Sequence, residues 1–258
     1  MWRGRIGKDF FYNVGGNMSF ARNKIEKIPE SPQKYDYKYS QGNRIGQPYG
    51  RISLGLFQSE EEILRHADQQ NPVSPGDIKY LDINGDGIID DNDQYPIGHP
   101  QVPEIFFGGT LGFSWKGFDL AALFQGAANS SYNFLTGQNM PFWNENNTPL
   151  AVWMDRWTPE NRDAKYPRMA ESSNNRHTSS FWQIDNKYLR LKSLEVGYTI
   201  PERLTRKVGI DVFRVYANGV NLLTWDNIKV YDPENYVKGS GRAYPMMRVV
   251  NFGFNLSF

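Results

Sequence analysis

VNFGFNLSF, residues Val250 to Phe258, alternates Val250, Phe252, Phe254, Leu256 and Phe258 with Asn251, Gly253, Asn255 and Ser257. A period of two places large apolar side chains on one face of a strand and small or polar ones on the other. One such strand fits a soluble sandwich equally well, so recurrence decides the fold. Phe118, Leu120, Ala122 and Phe124 alternate with Asp119, Ala121, Leu123 and Gln125. Phe10, Tyr12, Val14, Gly16, Met18 and Phe20 alternate with Phe11, Asn13, Gly15, Asn17 and Ser19. Aromatic-rich faces backed by small or polar ones suit a sheet with lipid on one side and a wet lumen on the other, its backbone groups pairing between strands. The expected fold is all-β, an antiparallel transmembrane β-barrel.

Aromatic residues make up 15% of the chain and charged residues 22%, and the mean hydropathy is negative. This is the balance expected when short lipid-facing bands are joined by long polar loops. No apolar run approaches the roughly 18 residues of a spanning helix. A net charge of +1 gives no footprint for nucleic acid. The lack of cysteine excludes a disulfide scaffold, a thiolate zinc site and a cysteine nucleophile. WRGRIGKDFFY (2–12) is basic but has no apolar h-region, so it does not read as a secretory signal. An outer-membrane location would then make the chain the tail of something longer.

Strands are predicted at 2–7, 10–21, 105–115, 118–126, 188–200, 212–222 and 247–258. Short connections at 8–9, 116–117 and 201–210 alternate strictly with long ones at 22–104, 127–187 and 223–246. Bacterial barrels have short periplasmic turns and long outer loops, so with the last strand running inward every long segment falls outside the cell. About seven strands is an odd count, unlike the even count of a complete single-chain bacterial barrel. Residues 1–258 are therefore expected to be the closing third of a larger one.

Several motifs carry a family resemblance. YLRLKSLEVGYTIP (188–201), FRVYANGVNLLTW (213–225) and YDPE (231–234), followed by the terminal strand, resemble the C-terminal end of SusC/RagA-type TonB-linked outer membrane transporters. PGDIKYLDINGDGIIDDNDQYPIG (75–98), KGFDLAALFQG (116–126) and DRWTPENRDAKYPR (155–168) resemble the same family in the same order. The resemblance implies a plugged barrel of the roughly 22-stranded class, embedded in outer-membrane lipid. It also implies import of oligosaccharides or peptides beneath a SusD-like surface lipoprotein, with coupling to the TonB complex through a plug that this chain lacks. Phe252, Phe254 and Phe258 would belong to the aromatic signal read by the barrel assembly machinery.

The sharpest chemical motif is DINGDGIIDDND (82–93). Asp82, Asn84 and Asp86 take positions 1, 3 and 5 of a calcium loop, Gly87 the sharp turn, Ile88 the carbonyl at 7, Asp90 position 9 and Asp93 position 12. Calcium takes about 6 to 8 oxygens, and crowded carboxylates repel one another unless a cation lies between them. The last ligand is Asp rather than Glu, and no helices flank the loop. The expected role is a structural calcium ion that orders a long loop with little core; the alternative is an Asp/Asn/Gly turn that binds nothing.

Thr148-Pro149 ahead of Leu150, Trp153, Met154 and Trp157 predicts a short helix with one apolar face. Trp143, Trp153, Trp157 and Trp182 form either a sugar-stacking or partner surface or a small core inside the second long loop. Ser59 and Glu62 predict a capping box opening a helix that runs to Leu64. His66, His99 and His177 are isolated, GxSxG is absent, and GSGRAY (239–244) lacks the third glycine of a dinucleotide loop. No catalytic constellation supports an enzyme. The competing reading is a secreted calcium-binding β-sandwich module.

Overall fold

The computed structural model describes residues 1–143, 148–234 and 244–258. Seven long strands are present where the alternation places them: β1 (Trp2–Ile6), β2 (Phe10–Phe20), β3 (Ile105–Trp115), β4 (Phe118–Ala128), β5 (Tyr188–Thr199), β6 (Val212–Asp226) and β7 (Val249–Ser257). They pair in sequence order, each antiparallel to the next, into one open sheet with β1 and β7 at its edges.

Turn chemistry follows the sequence closely. Lys116 and Gly117 both have positive φ, 47° and 90°, the two-residue geometry whose twist matches paired strands. A Cβ on Gly117 would lie 2.7 Å from the Thr199 carbonyl oxygen, so glycine is required for space as well as for its backbone conformation. The first turn takes three residues, 7–9, because Gly7 leaves the ladder at a φ of 66°. Between β5 and β6 the chain makes a short helix, Glu202–Thr205, followed by a 3-10 turn, Arg206–Val208. β6 runs beyond the expected 222 to Asp226, past a register shift at Asn221 (φ 54°), with Leu223 and Trp225 opposite Leu191 and Leu189 on the apolar face. Of the GSGRAY segment, 239–243 lie outside the described residues.

Register turns local alternation into two chemically distinct faces. One cross-strand row reads Phe254, Val215, Tyr198, Phe118, Trp115, Phe10, Ile6, and the next reads Phe252, Ala217, Val196, Leu120, Phe113, Tyr12, Gly4. On the opposite face a row reads Asn251, Asn218, Glu195, Ala121, Gly112, Asn13, Arg3. No position in register on the apolar face carries a charge. Phe252 and Phe254 remain 83% and 65% exposed, whereas a soluble sandwich would cover such a face with a second sheet. Strands of 11 residues with a rise of about 3.3 Å and a tilt of about 45° cross roughly 25 Å, the height of a lipid-facing band.

The buried core lies elsewhere. A sheet one strand thick has no interior, and the largest apolar cluster among the described residues is built from the long loops. Leu56, Ile78, Tyr80 and Ile89 of the first loop, Phe134, Trp153, Tyr166 and Trp182 of the second and Ile228 of the third pack together. Three small ladders organise them: Tyr49–Arg51 on Gln94–Pro96, Ser53–Leu56 on Ile78–Tyr80, and Ser131–Asn133 on Gln183–Asp185. The expectation of a first loop with little core is therefore corrected: its apolar residues pack with those of the second and third long loops, across separations in sequence that no local pattern reveals.

Val196 sits mid-strand on the apolar face, between Ala217 and Leu120. In the membrane-inserted protein, Val196→Arg should cost about 2–4 kcal/mol, read as a lower denaturant midpoint in lipid vesicles. Asn218→Arg on the other face should cost less than 1 kcal/mol on the same scale. Equal losses would contradict the facing.

Candidate functional sites in the long loops

The 82–93 loop folds on its own carboxylates. Asp82 accepts backbone N–H bonds from Gly85 at 2.7 Å and Gly87 at 2.8 Å, and Asp86 accepts one from Ile88 at 3.0 Å. The amide of Asn84 donates to Asp86 at 2.9 Å. Asp90 caps the short turn Asp91–Asp93, accepting from Asn92 N at 2.6 Å. Gly85 and Gly87 take φ of 72° and 83°, values that L side chains avoid. Asp93 is fully buried and accepts from Ile83 N at 2.8 Å and Asp90 N at 2.9 Å, tying both ends of the loop together. Among the described residues no three His, Cys, Asp or Glu side chains converge as a metal-ligating group. A carboxylate has about four lone-pair sites, so the outward-facing oxygens of Asp82 and Asp86 keep acceptor capacity that these bonds do not use.

The tryptophans are core. Trp153 and Trp182 are each 1% exposed and Trp157 is buried, while Trp143 packs half-buried against the same cluster under the Arg176 guanidinium. Their indole N–H groups are satisfied internally: Trp153 donates to Asn139 O at 2.7 Å, Trp182 to Asn175 O at 2.9 Å and Trp157 to Gln58 at 3.2 Å. Trp153, Trp157 and Trp182 therefore present no ring face to a sugar or a partner, which corrects that half of the expectation. The segment expected to be helical from Thr148 forms a 3-10 turn, Ala151–Asp155, without a side-chain cap, and Met154 is 79% exposed. The other expected helix is present as Glu60–Leu64, with Ser59 accepting from Glu62 N at 3.2 Å. Glu62 reaches one residue further back than a capping box requires, to Gln58 N at 2.6 Å.

A buried polar lattice that the sequence does not announce joins the first two loops. Asp77 accepts both guanidinium arms of Arg168 at 2.8 and 3.0 Å and the Asn175 amide at 2.7 Å. Gln69 and Asn174 donate to Ile78 O, Gln69 accepts from Tyr80 N, and Asn175 accepts from Ile78 N. Side-chain amides thus close the open edge of Ile78–Tyr80, whose backbone groups would otherwise be buried without partners. On the charged face of the wall, Arg214 bridges Asp119 at 2.5 Å and Glu195 at 2.7 Å. Near the loop end Arg190 meets Asp232 at 2.8 Å and Glu234 at 3.0 Å, which gives the YDPE motif its role as a clamp between loop and wall. Nothing in local spacing pairs these residues; sheet register does.

The three histidines do not meet. His66 bonds Tyr80 O, and His99 faces Arg44. His177 lies against Tyr80 with its Nε2 at 3.2 Å from the Asn71 amide. Burial, reinforced by the Arg51 charge, pushes its pKa down to about 4 from the ordinary 6.5.

No family model matches the chain. Over 217 residues it is 32% identical to the TonB-dependent receptor P26 of Formosa agariphila, covering 80% of this chain and 22% of that protein. It is 23% identical over 259 residues to the TonB-dependent receptor SusC of Bacteroides thetaiotaomicron, covering 98% of this chain and 25% of that one. The solved structure of the RagAB peptide transporter matches with a TM-score of 0.69 at 22% identity, over 99% of this chain and 28% of the other. The chain thus spans about a quarter of the length of the curated relatives it matches.

Two outcomes follow from the loop geometry. Trp182→Ala should destabilise the loop cluster by about 3–5 kcal/mol, read as faster protease cleavage within 129–187 while the strands stay inserted. Because the folded loops favour neutral His177, the unfolded form binds the extra proton between about pH 6.5 and about 4. This contribution to stability is complete above 6.5, declines as the pH falls toward 4 and is level below. His177→Gln should flatten that part of the pH profile of protease resistance.

Proposed function

Because the chain belongs to the SusC/RagA family of TonB-dependent receptors, outer-membrane β-barrel proteins, we propose that it forms one stretch of the wall and much of the outer vestibule of a nutrient importer. The observation that carries this reading is the seven-strand sheet, charge-free on its lipid face, whose long loops all gather into one packed cluster at the same end. Cargo would be oligosaccharide or peptide, and a SusD-like surface lipoprotein would close over the loop cluster. Energy would come from the TonB complex through a plug elsewhere in the protein. The charged inner face, with Arg214, Asp119 and Glu195, would meet that plug or hydrated cargo. Phe252, Phe254 and Phe258 would serve recognition by the barrel assembly machinery as well as facing lipid. Not one of these roles requires catalysis.

Affinity purification of the tagged protein from its native outer membrane tests the reading. Expected is stoichiometric recovery of one surface lipoprotein, and cargo uptake that stops when the proton gradient is collapsed. Uptake unaffected by uncoupling, with no lipoprotein recovered, would overturn it.

We further propose that a calcium ion sits on the 82–93 loop and orders the first long loop. The support is the donor set: Asp82, Asn84, Asp86, the Ile88 carbonyl, Asp90 and Asp93 at the spacing of a calcium loop, with spare acceptor sites on Asp82 and Asp86. The ion's role is structural, stabilising the closed loop by about 2.7 kcal/mol at a hundredfold excess over Kd. Chelation, or Asp82→Ala with Asp86→Ala, should increase cleavage between 51 and 103 and leave the strands inserted. Unchanged cleavage in both cases would reduce the loop to an acidic turn.

A further inference from the structure

At the long-loop end of the apolar face a groove of about 430 Å³ opens among Phe107, Leu189 and Trp225. Each of the three occupies the lipid-facing register of its strand: Phe107 on β3 lies opposite Gly126 of β4, Gly126 lies opposite Leu189 of β5, and Leu189 lies opposite Trp225 of β6. Gly126 lets the Phe107 ring lie across β4 to form one wall of the groove, since a Cβ there would lie 2.3 Å from that ring. β4 and β6 end, and β5 begins, within two residues of these positions, so the groove lies at the outer boundary of the bilayer. Trp225, 50% exposed, has the amphipathic ring that favours this level.

The groove's loop-side rim is cationic. Lys187 and Lys229 line it and both are exposed. Lys187 pairs with Asp185 at 2.9 Å on the surface, an exposed pair worth about 0–1 kcal/mol that a stronger anion displaces readily. Among the described residues Lys229 forms no ion pair. It is held at a φ of 62° by the bond from its backbone N–H to Asp226 at 3.0 Å, a conformation better suited to Asn or Gly. Asp226 also lines the groove, but its Oδ1 is engaged by that same bond.

We propose that this groove seats a phosphate-bearing lipid of the outer leaflet, its acyl chain against Phe107, Leu189 and Trp225 and its phosphate between Lys187 and Lys229. Apolar floor and cationic rim follow one another in the order in which such a lipid presents tail and headgroup. The bound lipid would anchor the base of the second and third loops to the membrane surface, whatever cargo is carried.

The test compares lipid A with enzymatically dephosphorylated lipid A, each added to the delipidated, membrane-extracted protein and counted by native mass spectrometry. Expected is preferential retention of the phosphorylated form, reduced about tenfold in Lys187→Gln/Lys229→Gln, the factor that about 1.4 kcal/mol of lost charge-assisted bonding represents. Retention of the dephosphorylated form should be unchanged by that double variant and reduced by Trp225→Ala. Heat-modifiable migration confirms that each variant is folded, and a misfolded Trp225→Ala would be replaced by Leu189→Ser. Equal retention of the two lipids, or no effect of the lysine substitutions, would overturn the proposal.

Discussion

Every backbone N–H and C=O in a membrane-crossing strand needs a partner from another strand, because hydrocarbon supplies none. The other features of this chain depend on that constraint. It forces seven strands into one continuous antiparallel sheet, interrupted by a single register shift between Leu191 and Ser193, and register makes the alternation in each strand add up: one slipped residue would invert a whole strand and put Phe252 or Phe118 in the lumen. Side-chain alternation alone would tolerate such a slip in an isolated strand. Seven coupled strands do not, since Glu195, Asp119 and Arg214 must stay together on one face while the tilted rings of Tyr198 and Phe118 meet with centroids 4.5 Å apart on the other.

The same constraint moves the packed core away from the strands. A wall with lipid outside and lumen inside buries few side chains, so burial must come from the segments that leave the bilayer. Their core combines aromatic rings with a lattice of Asp, Asn, Gln and Arg side chains that satisfies irregular backbone. Asp77 and Arg168 are 91 residues apart yet bonded twice, and Arg190 reaches 42 residues to Asp232. These bonds tie the loops to one another and to the wall.

How much of this is legible in the sequence follows from the range of the forces involved. Strand positions are readable because the period of two is local, and the Lys116-Gly117 turn is readable because positive φ selects glycine. The capping of Glu60–Leu64 by Ser59 is local too. The tryptophans are ambiguous in sequence because contact surface and core use the same residues, and only burial by partners from distant loops decides between them. The 148–157 segment has the apolar spacing of a helix, but Trp153 and Trp157 are held by contacts to Tyr166 and Gln58, and tertiary packing replaces the helix with a 3-10 turn. The Asp77 lattice and the Arg214 bridge left no signal, since isolated polar residues in loops carry none. The acidic loop is legible as a turn, since Asp, Asn and Gly at close spacing favour Asx-type bonds to the backbone. Its carboxylates satisfy the loop's own backbone N–H groups, which spacing alone does not foretell.

The two-faced sheet is tested most directly by spin labels placed one at a time at 251–256 of β7 and 214–219 of β6 in the membrane-inserted protein. Collisional accessibility to oxygen, which concentrates in lipid, and to a water-soluble nickel chelate should alternate with a period of two and opposite phase. Oxygen should be favoured at 252, 254, 215 and 217, and nickel at 251, 255, 216 and 218. A profile without alternation, or one in which β6 and β7 are out of phase across their register, would contradict a wall with lipid on one side and water on the other.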